Sequence, residues 1–152
     1  MDIKARLEED IKAAMRTREV ARLSTLRLVK AAIKNAEVAK LAELTHDEVI
    51  TILSREVKQR RETIPDFTRG NRLDLVEKAE QEIAYINAYL PAPLSTAEID
   101  EIILAAIADA SATGLRDQGK VMGLVSPRVK GRADGKEVSQ RVRMHLEGLP
   151  GA

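Results

Sequence analysis

The chain has 152 residues, 44% of them hydrophobic and 32% charged, which suits one globular domain or two small ones and argues against a disordered segment. Only 2% are aromatic and none is cysteine, so the core must be aliphatic, and a disulfide framework, a thiolate zinc site and a cysteine nucleophile are excluded. The net charge of +1 conceals a pattern: residues 1–72 carry 16 basic and 12 acidic side chains, 73–111 carry 1 and 8, and 112–152 carry 8 and 4. Such asymmetry suits a polyanion-binding face, and equally a helical protein whose faces are laced with ion pairs.

The opening MDIKARLEEDIKAAM has charges at every turn where a secretory signal needs an apolar run. No stretch approaches the ~18 apolar residues of a membrane span, so a cytoplasmic protein with no membrane contact is expected. Ile3, Leu7, Ile11 and Met15 recur on one helical face, and Val20, Leu23, Leu26, Val29 and Ile33 do so in the next segment. Alternating strand-like runs are missing, so the fold class is all-α.

Two helix starts share one device. In LTHDEV a Thr45 hydroxyl can accept from an orphan amide while Glu48 reaches back to the cap, and Leu44 can staple Val49; LSTAEI repeats this with Ser95, Glu98, Leu94 and Ile99. Asp134 with Glu137 marks a third start. The long pattern from 45 to 72 contains Ile64-Pro65, where a kink or break is expected. Arg60 falls on its apolar side, among Val49, Leu53, Ile64 and Phe67, so it must snorkel or find a buried acid. Arg55, Lys58, Arg61, Arg69 and Arg72 share a sector with Glu62 and Asp66, a pattern that fits an RNA contact or a solvated ion-pair face.

After Leu73, the residues Val76, Ile83 and Leu90 keep a seven-residue spacing that ends at Tyr89-Leu90-Pro91-Ala92-Pro93. Two prolines in three residues cannot lie inside a regular helix. The expected organisation is therefore an N-terminal domain of four helices over 1–92, some of them long, and a small three-helix domain over 93–152.

GLRDQGKV at 114–121 matches a phosphate loop up to its last position, where Val121 replaces the hydroxyl that should hold magnesium. It also follows a capped amphipathic helix instead of a strand, with Gly114 as the expected helix stop. His46 and His145 lack metal-ligand spacing; His46 should be solvated in a first helical turn, and His145, facing Val138, Val142 and Leu146, should be partly buried and hydrogen-bonded. Carboxylates are plentiful but fall on exposed helix faces, so no pair stands out as a general acid and base, and there is no G-x-S-x-G elbow and no amidase-like Gly/Ser stretch. No catalytic residue, cofactor site or metal site is therefore assigned.

Basic residues crowd the C-terminal part, with Lys120, Arg128, Lys130, Arg132, Lys136, Arg141 and Arg143 against Asp134 and Glu137. This is the footprint of phosphate binding, or of a basic surface without function. Asp134, if it caps its helix, occupies the amides that would hold an anion, leaving binding to side chains. Gly119 and Gly123, four apart, would let another helix pack closely, and Pro127 should kink their helix.

The stretch Gly119-Lys120-Val121-Met122-Gly123, then Pro127, Lys130 to Gly135 and Val138-Ser139, resembles the signature of the YqeY family, and so do the Tyr89-to-Ser95 junction and the LT-x-x-EV start. The likeness covers essentially the whole chain. It implies two all-helical domains, the second similar to the tail of the B subunit of the tRNA-dependent amidotransferase and to domains appended to some glutaminyl-tRNA synthetases. It therefore implies tRNA as partner, with an aminoacyl-tRNA synthetase or amidotransferase as a further one. The resemblance carries Lys120, Lys130, Arg132 and Lys136 over as nucleic-acid contacts, with Arg128 where the family often has lysine; Gln118 departs from a common methionine. The activity attached to such proteins is carbon-nitrogen ligation with glutamine as amido donor, yet the kinase-like core and amidase subunit that perform it have no counterpart here. A non-catalytic accessory protein is therefore expected, with the ligase as one alternative. The other is a protein-interaction module that docks a partner helix on the Gly119, Gly123 and Pro127 surface.

Overall fold

A computed structural model describes residues 2–150, and in these the fold is entirely helical: seven α-helices and no strand. They are α1 (Ile3–Thr17), α2 (Val20–Lys40), α3 (His46–Arg69), α4 (Leu73–Asn87), α5 (Thr96–Ala110), α6 (Gln118–Val129) and α7 (Gly135–Glu147), with one 3-10 turn, Leu115–Asp117, before α6. Contacts divide the chain into two compact units, Met1–Pro91 with α1 to α4 and Ala92–Ala152 with α5 to α7. Among the described residues no helix is long and apolar enough to cross a membrane.

Each unit has its own aliphatic core. In the first, Leu7, Leu26, Val29, Leu53 and Ile86 are almost completely buried. Tyr89 joins them, its hydroxyl donating to Asp10 and its ring covered by the Arg6 guanidinium 5.0 Å from the centroid. Burial, with the Asp10 hydrogen bond adding to it, pushes that phenol well above the ordinary tyrosine range. In the second unit Ile99, Ile103, Val121, Val125, Val138, Val142 and Leu146 form the core.

The apolar stripes differ at their ends from those expected. Met15, Val20 and Leu73 are 52%, 76% and 64% exposed, and Ala14 is buried in place of Met15. For α1 the α-helical advance of about 100° per residue explains this: a strict four-residue spacing drifts off the face, so that Ala14 comes back under Ile3 while Met15 has rotated out. On α4 the buried set is Ala79, Ile83 and Ile86.

Both capping boxes form. Thr45 and Ser95 accept from the amides of Glu48 and Glu98, whose carboxylates accept from the cap amides in return. The amide of Ser95, then its hydroxyl, hold Glu98 below the usual carboxylate range. Asp134 caps α7 by accepting from the Lys136 amide, at 3.3 Å.

No break occurs at Pro65, and one helix stop falls elsewhere than expected. Helix α3 runs through Pro65 for four more residues. The proline is exposed, so the Arg61 carbonyl it leaves without a donor faces water, and the hydroxyls of Thr63 and Thr68 bond the neighbouring carbonyls of Arg60 and Ile64. Helix α5 stops at Ala110, capped by Ser111 in the left-handed region (φ 52°), so Gly114, in extended backbone, is not its stop.

Candidate nucleic-acid interface

The candidate residues lie on α6, on the turn that follows it and on the first turn of α7. Helix α6 buries Val121, Val125 and Val129 against its neighbours, which turns Gly119, Lys120, Gly123, Ser126 and Pro127 outwards. The close helix packing expected at the two glycines is absent: a Cβ at Gly119 or Gly123 would meet no heavy atom within 4 Å. Helices α5 and α7 pack on the opposite, valine-bearing face, which is why the glycines are left bare. Pro127 lies in the last turn, and the helix ends two residues later.

The turn after α6 needs Gly131, whose φ of 75° lies in the left-handed region that a side chain disfavours. It turns the chain so that the Arg132 amide bonds the Val129 carbonyl and the Arg132 carbonyl accepts from the Leu94 amide at 2.8 Å. The Arg132 guanidinium Nε donates to the Ala92 carbonyl at 3.0 Å. Arg132 thus clasps the segment before α5 onto this turn, which occupies part of its donor capacity.

The five candidates therefore divide by their partners. Arg128 is exposed and 3.3 Å from the Asp109 carboxylate of α5. Arg132 is half-buried in the clasp. Lys120, Lys130 and Lys136 are exposed, and among the described residues none has a carboxylate within ion-pair distance. Of the other three arginines of this unit, exposed Arg116 donates only to the Thr113 hydroxyl, at 3.4 Å, and two are engaged with acids. Arg141 grips Asp100 through two hydrogen bonds of 2.7 Å, and Arg143 pairs with Glu147 on its own helix. Along α6, the turn after it and α7 the cation density thus shrinks in the fold to three unpaired lysines beside Asp134, whose carboxylate is spent on its cap.

His145 is partly buried, as its position suggested, with Nε2 2.9 Å from Asp100 Oδ1. Hydrogen bonds from Arg141, and after them His145, hold Asp100 down at about 2. This Arg141–Asp100–His145 cluster joins α5 to α7. Sequence reading missed it because the partners are more than forty residues apart with no local signature. His46 is exposed in the first turn of α3. The GLRDQGKV segment is an extended glycine, a 3-10 turn and the start of α6, preceded by a helix. Among the described residues no group of His, Asp and Glu could hold a metal ion.

The chain matches a family model described as "Yqey-like protein" over residues 4–146. It is 32% identical over 142 residues to "Altered inheritance of mitochondria protein 41, mitochondrial" of Pyrenophora tritici-repentis, an alignment covering 91% of this chain and 77% of that protein. Proteins of the same name from Eremothecium gossypii and Lachancea thermotolerans are 36% and 38% identical over 111 and 103 residues, covering 72% and 66% of this chain. Those alignments span 58% and 55% of the two relatives, little more than half of their length.

These names overturn the expectation of a cytoplasmic protein, since all three relatives are designated mitochondrial. The criterion behind that expectation was a missing apolar run, which detects secretory signals only; mitochondrial targeting sequences are amphipathic and Arg-rich and contain no such run. With a family model matched over 4–146 and relatives of more than 30% identity aligned along most of its length, this chain belongs to the YqeY family.

Proposed function

We propose that this chain is a non-catalytic accessory protein that binds tRNA through phosphate contacts from the α6–α7 region. One observation carries the reading: Lys120, Lys130 and Lys136 are exposed on one short helix-turn-helix with no acid partner among the described residues. Unpaired cations keep their full Coulomb attraction for a polyanion, whereas paired ones must first give up a carboxylate. Arg128 would add to the face by leaving Asp109, and Arg132 would act mainly by holding the turn. If the chain shares its relatives' mitochondrial setting, the RNA it meets is the tRNA of that compartment. A synthetase or amidotransferase would then be the enzyme it assists.

The test is a salt titration of tRNA binding by the whole chain, with duplex DNA as control. Replacing Lys120, Lys130 and Lys136 together by alanine should weaken binding and flatten the salt dependence by about 2 in log–log slope, at ~0.7 to 0.9 per phosphate contact. Unchanged affinity would refute this face. Arg132 stays out of the variant because its loss would also open the clasp.

A second reading draws on the bare glycines: with Gly119 and Gly123 open to solvent, α6 offers a partner helix the close backbone approach that no helix of its own unit uses. Co-purification with a synthetase after nuclease treatment would favour it over direct RNA binding. The ligase alternative is decided by incubating the chain with glutamyl-tRNA, glutamine and ATP, and formation of glutaminyl-tRNA would replace the accessory reading. We take the two units as separate folding domains, four helices over 1–92 and three over 93–152. Limited proteolysis between Pro91 and Leu94 tests that division.

A further inference from the structure

Arg55, Lys58, Arg61 and Arg69 share a sector of α3, Arg72 lies beyond its end at the start of α4, and their partners in the fold separate them. Arg69 pairs with Asp66 and Arg72 with Asp74. Arg60, off this sector, is held by Glu56 and Glu82. Arg55, Lys58 and Arg61 are exposed on α3, and among the described residues none has a carboxylate within ion-pair distance. We propose that these three residues form a second phosphate-binding face, in the N-terminal unit, that tracks the backbone of helical RNA.

Three arguments support the assignment. The residues recur every third position, so at 1.5 Å per residue they span roughly 9 Å along the axis, within about 120° around it. A strand of duplex DNA presents one charge per ~3.4 Å of helix axis and A-form RNA is somewhat more compressed, so this span covers about three to four successive phosphates. Helix α3 is the longest in the chain, 24 residues, and its capping box at one end and packing against α4 hold the three side chains on a rigid rod. Finally, the face holds no aromatic side chain: Phe67 lines a groove with Arg60, Leu75 and Ala79 instead. Single-strand binders stack bases on aromatic rings, whereas a purely cationic stripe reads only a backbone. RNA stems are therefore the ligand, and the contact is indifferent to sequence. Glu62 shares the sector and stays unpaired, so the face keeps a net charge of two positive units.

This face rests on the reading of the chain as an RNA-binding protein but uses residues of the first unit, whereas Lys120, Lys130 and Lys136 belong to the second. The experiment compares four whole-chain proteins on an RNA hairpin and on an unstructured single strand of equal length: the parent, Arg55→Ala/Lys58→Ala/Arg61→Ala, Lys120→Ala/Lys130→Ala/Lys136→Ala, and the charge-matched control Lys12→Ala/Arg16→Ala/Lys34→Ala. Alanine favours helix, and far-UV circular dichroism checks the fold. The α3 variant should lose roughly tenfold or more in hairpin affinity at low salt, with a log–log salt slope shallower by about 2. The control should lose much less. An α3 variant equal to the parent overturns this proposal and leaves the C-terminal face standing. Equal losses in variant and control overturn it too, because net charge would then be sufficient. Parent affinity for the single strand equal to that for the hairpin removes the stem preference, and a parent that binds neither RNA at low salt overturns both faces.

Discussion

Removing Arg60 tests the most buried ion-pair cluster in the N-terminal unit. Its side chain is 14% exposed, and its guanidinium donates to Glu82 at 2.7 Å and to Glu56 at both carboxylate and carbonyl, at 2.7 and 3.1 Å; the two acid side chains are each 19% exposed. Arg60→Ala deletes those bonds and leaves two half-buried carboxylates facing the space the cation filled. Breaking a fully buried pair costs about 3–5 kcal/mol, and the residual water access here reduces that to roughly 2–3 kcal/mol. The double variant Arg60→Ala/Glu82→Gln should recover about 1 kcal/mol, because one stranded charge is gone. The assay is urea unfolding followed by tyrosine emission: the chain has two tyrosines, Tyr85 and Tyr89, both on the N-terminal unit, and no tryptophan, so the signal reports that unit alone. With a urea dependence of about 1–1.5 kcal/mol per molar for a unit of this size, the midpoint should fall by roughly 2 M. A loss below about 0.5 kcal/mol, or a double variant as unstable as the sum of the singles, would refute the stranded-charge argument.

In the C-terminal unit, Asp100 is held at about 2, first by Arg141 and then by His145. Because its folded value lies below the ordinary carboxylate value, its stabilisation is fully present above about pH 4 and is lost as the pH falls through about 2. Solvent screening of a side chain 24% exposed limits it to roughly 1 kcal/mol, so Asp100→Asn should cost that much at neutral pH and nothing below pH 2, read by circular-dichroism melts. A gap that persists in acid would refute it. Gly119→Ala and Gly123→Ala should each raise stability by about 0.5–1 kcal/mol, since both glycines are helical and open on the Cβ side. Destabilisation in the same melts would mean that the bare face has an internal packing role, and lost partner or RNA binding in a stabilised protein would assign it an external one.

Local chemistry was legible in the sequence, and it includes the all-helical class. The helical period and the two capping boxes involve residues three or four apart, so Thr45–Glu48 and Ser95–Glu98 could be read without knowing what packs against them. Arg60 on an apolar face required an acid or an escape to water, and the partly buried His145 required a hydrogen bond; both demands follow from the cost of burying a charge or polar group. What the sequence left undecided was partnership across helices. Glu82 for Arg60, Asp100 for Arg141 and His145, and Asp109 for Arg128 lie 22, 41, 45 and 19 residues away, and only the packing angle of two helices decides which carboxylate comes within reach. The same is true of the bare glycines of α6, whose spacing suggested close packing until the valines on the other side took the neighbours. The sequence by itself thus determined the helical class, the starts of α3, α5 and α7, and the local surplus of positive charge. The tertiary structure decided which charges are neutralised, because ion pairing depends on distances of a few ångström that no linear spacing specifies.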